Sequence, residues 1–264
     1  MKSAVTVALD PCFAAGPFVF HDLPTAVEQA KRLGFDALEL FPGDPQALPD
    51  PAALGGLAVS AVGSGAGWVK HKLSFTSPDA EVRAKAKQFV RDLSVAAARF
   101  HAPVIIGSMQ GRWGDGLTRD EALGWLAEAL SELGDHASQC GVTLLYEPLN
   151  RYETNLLTTL ADGVDFLTRF GLTNVKLLAD LFHMNIEEAD IAAGIRAAGP
   201  HVGHVHFADS NRRAVGGGHT DMLPVIEALN DVGYAGYLSA EVFPLPDSIA
   251  AATATMTAFH QFVR

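Results

Sequence analysis

Eight short apolar runs alternate along this chain with longer segments of helical periodicity, and no other feature restricts the available folds as strongly. Val, Ile and Leu fill most of each run, and polar residues occur mainly at its last positions. Strands buried on both faces have this composition, which is typical of a parallel sheet. The runs are residues 5–9, 37–41, 57–62, 103–106, 142–146, 175–181, 202–207 and 237–242.

The segments between the runs contain residues that begin and end helices. Thr118 opens a Thr-Arg-Asp-Glu capping box, Asp221 is an expected N-cap, and Gly34 is an expected C-cap. Ser77 and Pro78 are expected to supply the N-cap and the first turn of a long helix. The predicted helical segments are residues 25–33, 77–100, 118–139, 160–170, 186–198, 221–232 and 246–263.

Regular alternation of strand and helix implies a parallel sheet with its helices outside. Eight such units in 264 residues suit one closed (β/α)8 barrel, a fold of about 250 residues. An open doubly wound sheet is the alternative, although no Gly-x-Gly-x-x-Gly follows the first predicted strand. Because no low-complexity linker divides the chain, we expect residues 1–264 to form a single domain.

Charge and cysteine content narrow the functional class. The formal net charge of −11 opposes contact with phosphate backbones and anionic lipid, so we expect no nucleic-acid partner and no membrane partner. Cys12 and Cys140 are too few for a disulfide framework or a thiolate zinc cluster. Residues 1–10 lack the apolar core and cleavage site of a signal peptide, so we expect none, and no apolar stretch approaches the roughly 18 residues of a membrane span. These features predict a cytoplasmic protein.

Four predicted strands in the second half of the chain bring a cation-binding group to their last positions: Glu147, Asp180, His206 and Glu241. In a (β/α)8 barrel the C-terminal ends of the strands meet around the active site. Three carboxylates meeting in a dry pocket would repel one another and take up protons, and a divalent cation removes that cost. Oxygen-rich ligation with one nitrogen leads us to expect Mn2+, with Mg2+, Co2+ and Zn2+ as alternatives.

The sequence around these four positions is similar to a known family. Residues 147–153 read Glu-Pro-Leu-Asn-Arg-Tyr-Glu, residues 180–185 read Asp-Leu-Phe-His-Met-Asn, and residues 206–212 read His-Phe-Ala-Asp-Ser-Asn-Arg. Together with Glu241, this ordered set resembles the xylose-isomerase-like TIM barrels. The closest resemblance is to the D-tagatose and D-psicose 3-epimerases, the ketose 3-epimerase group. The first half of the chain matches only as a general barrel pattern.

The resemblance implies a sugar isomerase or epimerase that depends on one divalent metal ion. The metal would be held by Glu147, Asp180, His206 and Glu241. The first and last of these glutamates would also be the two catalytic acid/base groups. The sugar hydroxyls and the carbonyl side of the substrate would be bound by Glu153, His183 and Arg212. Related barrels form dimers or tetramers, so we expect a homo-oligomer.

The chemistry favours a ketose 3-epimerase and leaves several alternatives open. A metal at the ketone oxygen and the neighbouring hydroxyl stabilises the enediolate that forms when the adjacent proton leaves. One carboxylate removes the proton, and a second returns one on the opposite face. The same groups would serve a hydroxypyruvate isomerase, an aldose-ketose isomerase or an inosose dehydratase-like lyase. A non-enzymatic sugar-binding protein and a phosphodiesterase are further alternatives. The substrate is a sugar or a sugar phosphate.

The substrate-binding residues also have ordinary structural interpretations. His183 could cap the helix after the sixth strand, and Glu153 could pair with Arg151 in a structural loop. Arg213, beside Arg212, is expected at the surface. A flexible loop of glycines precedes His219, whose contact with substrate we do not favour.

The first half of the chain offers polar and aromatic groups near predicted strand ends. Residues 68–72 lie in a long loop that could be a lid, with lysines placed to meet a sugar phosphate. A solvated basic loop is the alternative. Groups that could reach or wall the pocket are Glu39, Ser108, Gln110 and Trp113.

Overall fold

Eight parallel strands close into a barrel in chain order in the computed structural model, which describes residues 1–263. Each strand pairs with the next, and the first pairs with the last. The predicted (β/α)8 barrel is therefore confirmed, and the open sheet is wrong. The strands are β1 (Lys2–Ala8), β2 (Ala37–Phe41), β3 (Ala58–Gly63), β4 (Val104–Ile106), β5 (Leu144–Tyr146), β6 (Val175–Asp180), β7 (Val202–His206) and β8 (Tyr237–Ala240).

Helices follow the strands, and the first helix packs against the last. No helix among the described residues is long and apolar enough to cross a bilayer. The helices are α1 (Leu23–Leu33), α2 (Ala66–Val69), α3 (Ala80–Ala98), α4 (Arg119–Gln139), α5 (Leu160–Phe170), α6 (Leu181–Glu187), α7 (Ile191–Ala198), α8 (Met222–Asp231) and α9 (Ser248–Phe262).

Most of the expected helix caps are present. Thr118 and Glu121 form both hydrogen bonds of the capping box at the start of α4, and Gly34 ends α1 with a φ of 85°. The expected start of α3 is wrong by two residues. Asp79 is its N-cap, because the Asp79 carboxylate accepts a 2.8 Å hydrogen bond from the backbone N–H of Glu81. Ser77 lies outside the helix.

The predicted helix over residues 186–198 begins in the last two residues of α6 and, after a break at residues 188–190, continues as α7. Asp180 caps α6 by accepting a 2.8 Å hydrogen bond from the backbone N–H of Phe182. Asp190 caps α7 by accepting a 2.9 Å hydrogen bond from the backbone N–H of Ala193. The second cap interrupts a periodicity that looks continuous in the sequence. Because α6 begins at the end of β6, its first turn lies at the C-terminal end of the barrel.

Candidate functional site

The four side chains expected to bind a cation converge at the C-terminal end of the barrel. Glu147, Asp180, His206 and Glu241 each offer one ligand atom, and these atoms lie within 4.8 Å of one another. His206 Nδ1 is 3.3 Å from both Asp180 Oδ2 and Glu241 Oε2, and 3.5 Å from Glu147 Oε1. Parallel pairing of β6 with β7 sets Asp180 beside His206. All four residues are buried.

These four groups fit a divalent cation. Three buried carboxylates so close together repel one another unless positive charge lies among them. Arg212 supplies part of that charge, since its Nη2 is 3.2 Å from Asp180 Oδ2 and contacts Glu241. Glu147 Oε1 nevertheless has no hydrogen-bond partner among the described residues. A buried, unsatisfied carboxylate oxygen beside an imidazole nitrogen and two further carboxylates is a donor set suited to Mn2+ or a similar ion.

The two glutamates of the cluster have pKa values shifted in opposite directions. Burial raises the pKa of Glu147, and the neighbouring charge of Glu241 adds to the rise against the effect of His206. Burial also acts to raise the pKa of Glu241, but His206 and Arg212 outweigh it and hold that pKa below its usual value. The two carboxyls therefore lie in different electrostatic environments, an asymmetry found in pairs of carboxyl groups that exchange protons.

Glu39, expected near the pocket, instead supports His206 from inside the barrel. Its Oε1 is 2.9 Å from His206 Nε2, and its Oε2 is 2.6 Å from His204 Nε2. Burial acts to raise the pKa of Glu39, but His206 and His204 outweigh it and lower it. These separations are those of hydrogen bonds, so Nε2 of His206 faces Glu39 and Nδ1 is left to face the carboxylates.

Glu147 is accommodated by the neighbouring strand β4. A Cβ atom at Gly107 would lie 2.5 Å from Glu147 Oε2, so a larger residue there would require this carboxylate to move. Gln110 donates from Nε2 to the carbonyl oxygens of Glu147 and Gly107 at 3.0 and 3.1 Å. Tyr146 donates its hydroxyl to Gln110 Oε1. Gln110 therefore holds the backbone at the end of β5.

The three residues expected to bind substrate line the same cavity as Glu147 and Glu241: Glu153, His183 and Arg212. His183 Nε2 lies 3.7 Å from Glu147 Oε1, and Arg212 Nη1 lies 3.4 Å from His183 Nε2. Two structural alternatives are wrong. Asp180, not His183, caps α6, and Arg151 pairs with Glu187 at 2.9 Å, not with Glu153.

The opposite side of the cavity is apolar, and sequence reasoning missed it. The cavity has a volume of about 460 Å³. Phe13, Phe18 and Phe41 pack edge to face or tilted, with ring centroids 5.0 Å apart for the first pair and 4.5 Å apart for the last pair. The loop after β1 supplies Phe13 and Phe18 and the end of β2 supplies Phe41, so no local motif indicates this wall.

Of the first-half residues that were expected to reach the cavity, some line it and others lie elsewhere. Ser108 lines the cavity, but Trp113 does not: its indole N–H donates to the carbonyl oxygen of Asn155 at 2.8 Å. Lys70 points to Asp10 and Asp44, at 3.1 and 2.6 Å. Lys72 donates to the carbonyl oxygen of Val69 at 3.0 Å, and neither lysine lines the cavity, so the expected contact of these lysines with a sugar phosphate has no support here. That the loop is a lid stays a prediction.

Comparisons with known proteins agree with this architecture. A family model described as xylose isomerase-like TIM barrel matches residues 27–259. The chain is 34% identical over 226 residues to a D-psicose 3-epimerase of Ruminiclostridium cellulolyticum, covering 82% of this chain and 77% of that one. It is 33% identical to an L-ribulose 3-epimerase of Mesorhizobium japonicum, covering 84% of this chain and 76% of that one.

Solved structures show the same relationship. The structure of D-psicose 3-epimerase with D-tagatose from Clostridium cellulolyticum H10 matches with a TM-score of 0.80 at 26% identity. The match covers 100% of this chain and 99% of that one. The chain therefore belongs to the xylose isomerase-like TIM barrel family, with ketose 3-epimerases among its relatives.

Proposed function

We propose that this protein is a metal-dependent ketose 3-epimerase that exchanges a proton at carbon 3 of an unphosphorylated ketose. One observation supports this most directly. Two buried glutamates, Glu147 after β5 and Glu241 after β8, line one cavity beside a cation-binding cluster and have pKa values shifted in opposite directions. Relatives that share the fold across most of the chain are named D-psicose and L-ribulose 3-epimerases.

The cation would be held by Glu147, Asp180, His206 and Glu241. When bound, it supplies positive charge where the reaction develops negative charge on the substrate oxygens. We expect Mn2+, because three carboxylates and one imidazole suit it, with Mg2+, Co2+ and Zn2+ as alternatives.

The protein side chains would divide the proton transfers. One of Glu147 and Glu241 removes the proton from one face and the other returns a proton to the opposite face, because both carboxyls line the cavity that would hold the sugar. In the reverse direction the two exchange roles. Glu153, His183 and Arg212 orient the sugar through its oxygens, since all three line the cavity.

An unphosphorylated substrate follows from the charges around the cavity. Within residues 1–263, Arg212 is the one arginine or lysine in the cavity lining, and it already contacts Asp180 and Glu241. Glu147 and Glu153 add further negative charge. A phosphate dianion would meet repulsion here with no unpaired cation to offset it.

Replacing either glutamate by glutamine tests the two-base mechanism. We expect Glu147→Gln and Glu241→Gln each to lower kcat/KM for 3-epimerisation by about 10²–10⁴-fold or more, because each removes one proton-transfer group. In D2O, each variant should still exchange the carbon-3 proton of one epimer, because the remaining base faces that epimer. NMR of the sugar after incubation with Mn2+ measures both effects.

Glu188→Gln is the matched control, because Glu188 accepts a hydrogen bond from the backbone N–H of Leu160 outside the cavity. Its turnover should stay near the wild-type value. Near-native epimerisation by Glu147→Gln or Glu241→Gln would refute the assignment. Proton exchange accompanied by transfer to the adjacent carbon, or by loss of water, would identify an isomerase or a lyase instead.

Three further expectations stay predictions. We expect a homo-oligomer, a dimer or tetramer, which analytical ultracentrifugation would test. We also expect residues 1–264 to behave as one domain and the protein to be cytoplasmic.

A further inference from the structure

One amide side chain contacts both Glu153 and His183. Asn150 lies in the loop after β5 and is 2% exposed. Its Nδ2 is 2.7 Å from His183 Nδ1 and 3.0 Å from Glu153 Oε1. Its Oδ1 accepts a 3.0 Å hydrogen bond from the backbone N–H of Tyr152.

The orientation of the Asn150 amide follows from two hydrogen-bond partners, one of which can only donate and one of which accepts. The backbone N–H of Tyr152 can only donate, so it requires the oxygen of the amide. The Glu153 carboxylate oxygen accepts, so it requires the nitrogen. A flipped amide would place donor against donor and acceptor against acceptor. Nδ2 therefore faces Glu153 and His183.

The tautomer of His183 follows from that orientation. The backbone N–H of Asn150 also points at His183 Nδ1, at 3.3 Å, and a backbone group cannot be flipped. Two donors thus face Nδ1, which must be the nitrogen without a hydrogen. In a neutral imidazole the hydrogen then lies on the other nitrogen, Nε2.

We propose that Asn150 is a positioning residue that keeps His183 in its Nε2–H tautomer and holds Glu153 beside it. Nε2 faces the cavity and lies 3.4 Å from Arg212 Nη1. The approach of Arg212 is longer than that of the Asn150 amide to Nδ1, at 2.7 Å, so the two donors at Nδ1 outweigh it. Nε2 also lies 3.6 Å from Asp180 Oδ2 and 3.7 Å from Glu147 Oε1, so a hydrogen on Nε2 faces acceptor oxygens of the cavity and can be donated to a sugar oxygen. The catalytic consequence rests on the proposed function, whereas the tautomer is a property of the protein itself.

The wild-type tautomer is measured directly by two-bond ¹H–¹⁵N correlation spectra of protein labelled with ¹⁵N-histidine. The Mg2+-loaded protein is used, because Mn2+ would broaden the signals, and His183→Gln identifies the His183 signals by their loss. We expect the Nε2–H pattern. A hydrogen on Nδ1 in the wild-type protein would overturn the proposal, whatever any variant does.

Asn150→Asp keeps the shape of the side chain and replaces the donor by an acceptor. We expect His183 to move its hydrogen to Nδ1, and kcat/KM for a ketose to fall by about 10–100-fold, as for other groups that orient ligands. Retention of both the Nε2–H pattern and the turnover would overturn the proposal.

Asn174→Asp is the matched control, because Asn174 Nδ2 also makes two hydrogen bonds, at 2.9 and 3.0 Å, before β6 at the other end of the barrel. It should lower the unfolding temperature but leave the His183 spectrum and turnover unchanged. If the tautomer is as expected but no ketose is epimerised, the proposed function fails and the role of Asn150 stands.

Discussion

At the scale of single residues, the site contains a glycine that leaves space for a charged side chain. A Cβ atom at Gly107 would lie 2.5 Å from Glu147 Oε2. The Glu147 carboxylate therefore occupies volume that a side chain at residue 107 would take. Contacts this short require the carboxylate to move, because the protein interior is close-packed.

Gly107→Ala should therefore lower activity more than stability. We expect the added methyl group to displace the Glu147 carboxylate and to reduce kcat by at least about 10²-fold, as removal of an acid/base group does. Gly124→Ala in α4 is the control, because its Cβ would meet nothing within 4 Å. That substitution should stabilise the helix by about 0.5–1 kcal/mol and leave kcat unchanged. Equal activity of the two variants would contradict the spatial explanation.

At the scale of elements, the loop after β7 is organised by one buried carboxylate. Asp209 accepts hydrogen bonds from the backbone N–H groups of Ser210, Gly216 and Thr220 at 2.7, 2.8 and 3.0 Å. Its carbonyl oxygen accepts from the backbone N–H of Arg212 at 2.8 Å. Arg212 has a φ of 57°, a left-handed conformation that is costly outside glycine. The loop therefore maintains the conformation that directs Arg212 into the cavity.

Asp209→Asn should change stability in a pH-dependent manner. Burial acts to raise the pKa of Asp209, but hydrogen bonds from Thr220 and Ser210 outweigh it and lower it below 3.8. A folded-state pKa below the unfolded value stabilises the protein above the unfolded pKa, and the stabilisation is lost as the pH falls through the folded pKa. The difference in unfolding free energy between wild type and variant should therefore be largest at neutral pH and shrink below pH 3.8. Urea unfolding of both proteins at neutral pH and at pH values below 3.8 measures this difference in unfolding free energy. A difference that does not change with pH would contradict the prediction.

At the scale of the whole molecule, barrel closure concentrates negative charge in a chain that already has a net charge of −11. The clustered groups come from β5, β6, β7 and β8, so a bound cation would tie together half of the strands. Any ligand that binds only the folded state stabilises it. The unfolding temperature should therefore depend on whether a cation is bound.

Mn2+ should raise the unfolding temperature, and a chelator should lower it. At a concentration 100 times Kd the stabilisation is about 2.7 kcal/mol, which at about 2–4 °C per kcal/mol gives a shift of roughly 5–10 °C. Asp180→Asn should abolish most of this shift. Asp36→Asn is the control, because Asp36 accepts a 2.8 Å hydrogen bond from Ser3 at the other end of the barrel. Asp36→Asn should show the same rise of the unfolding temperature with Mn2+ as the wild-type protein. If neither Mn2+ nor a chelator changes the unfolding temperature of the wild-type protein, the metal site is refuted.

The sequence by itself determined the barrel and the positions of the four groups that could bind a cation. Apolar runs and helix caps are local patterns, and in a parallel barrel every strand ends on the same face, so Glu147, Asp180, His206 and Glu241 had to meet there. The break between α6 and α7 was not predicted, because the cap at residue 190 competes with a helical periodicity that continues across it.

Only the tertiary structure decided what surrounds those four groups. Glu39 and His206 are 167 residues apart in the chain, and their hydrogen bond exists only because the barrel closes. The Phe13, Phe18 and Phe41 wall and the link from Asn150 to His183 likewise join separate loops. The physical reason is that hydrogen bonds and packing depend on distance in space, whereas sequence patterns record only the conformation of neighbouring residues.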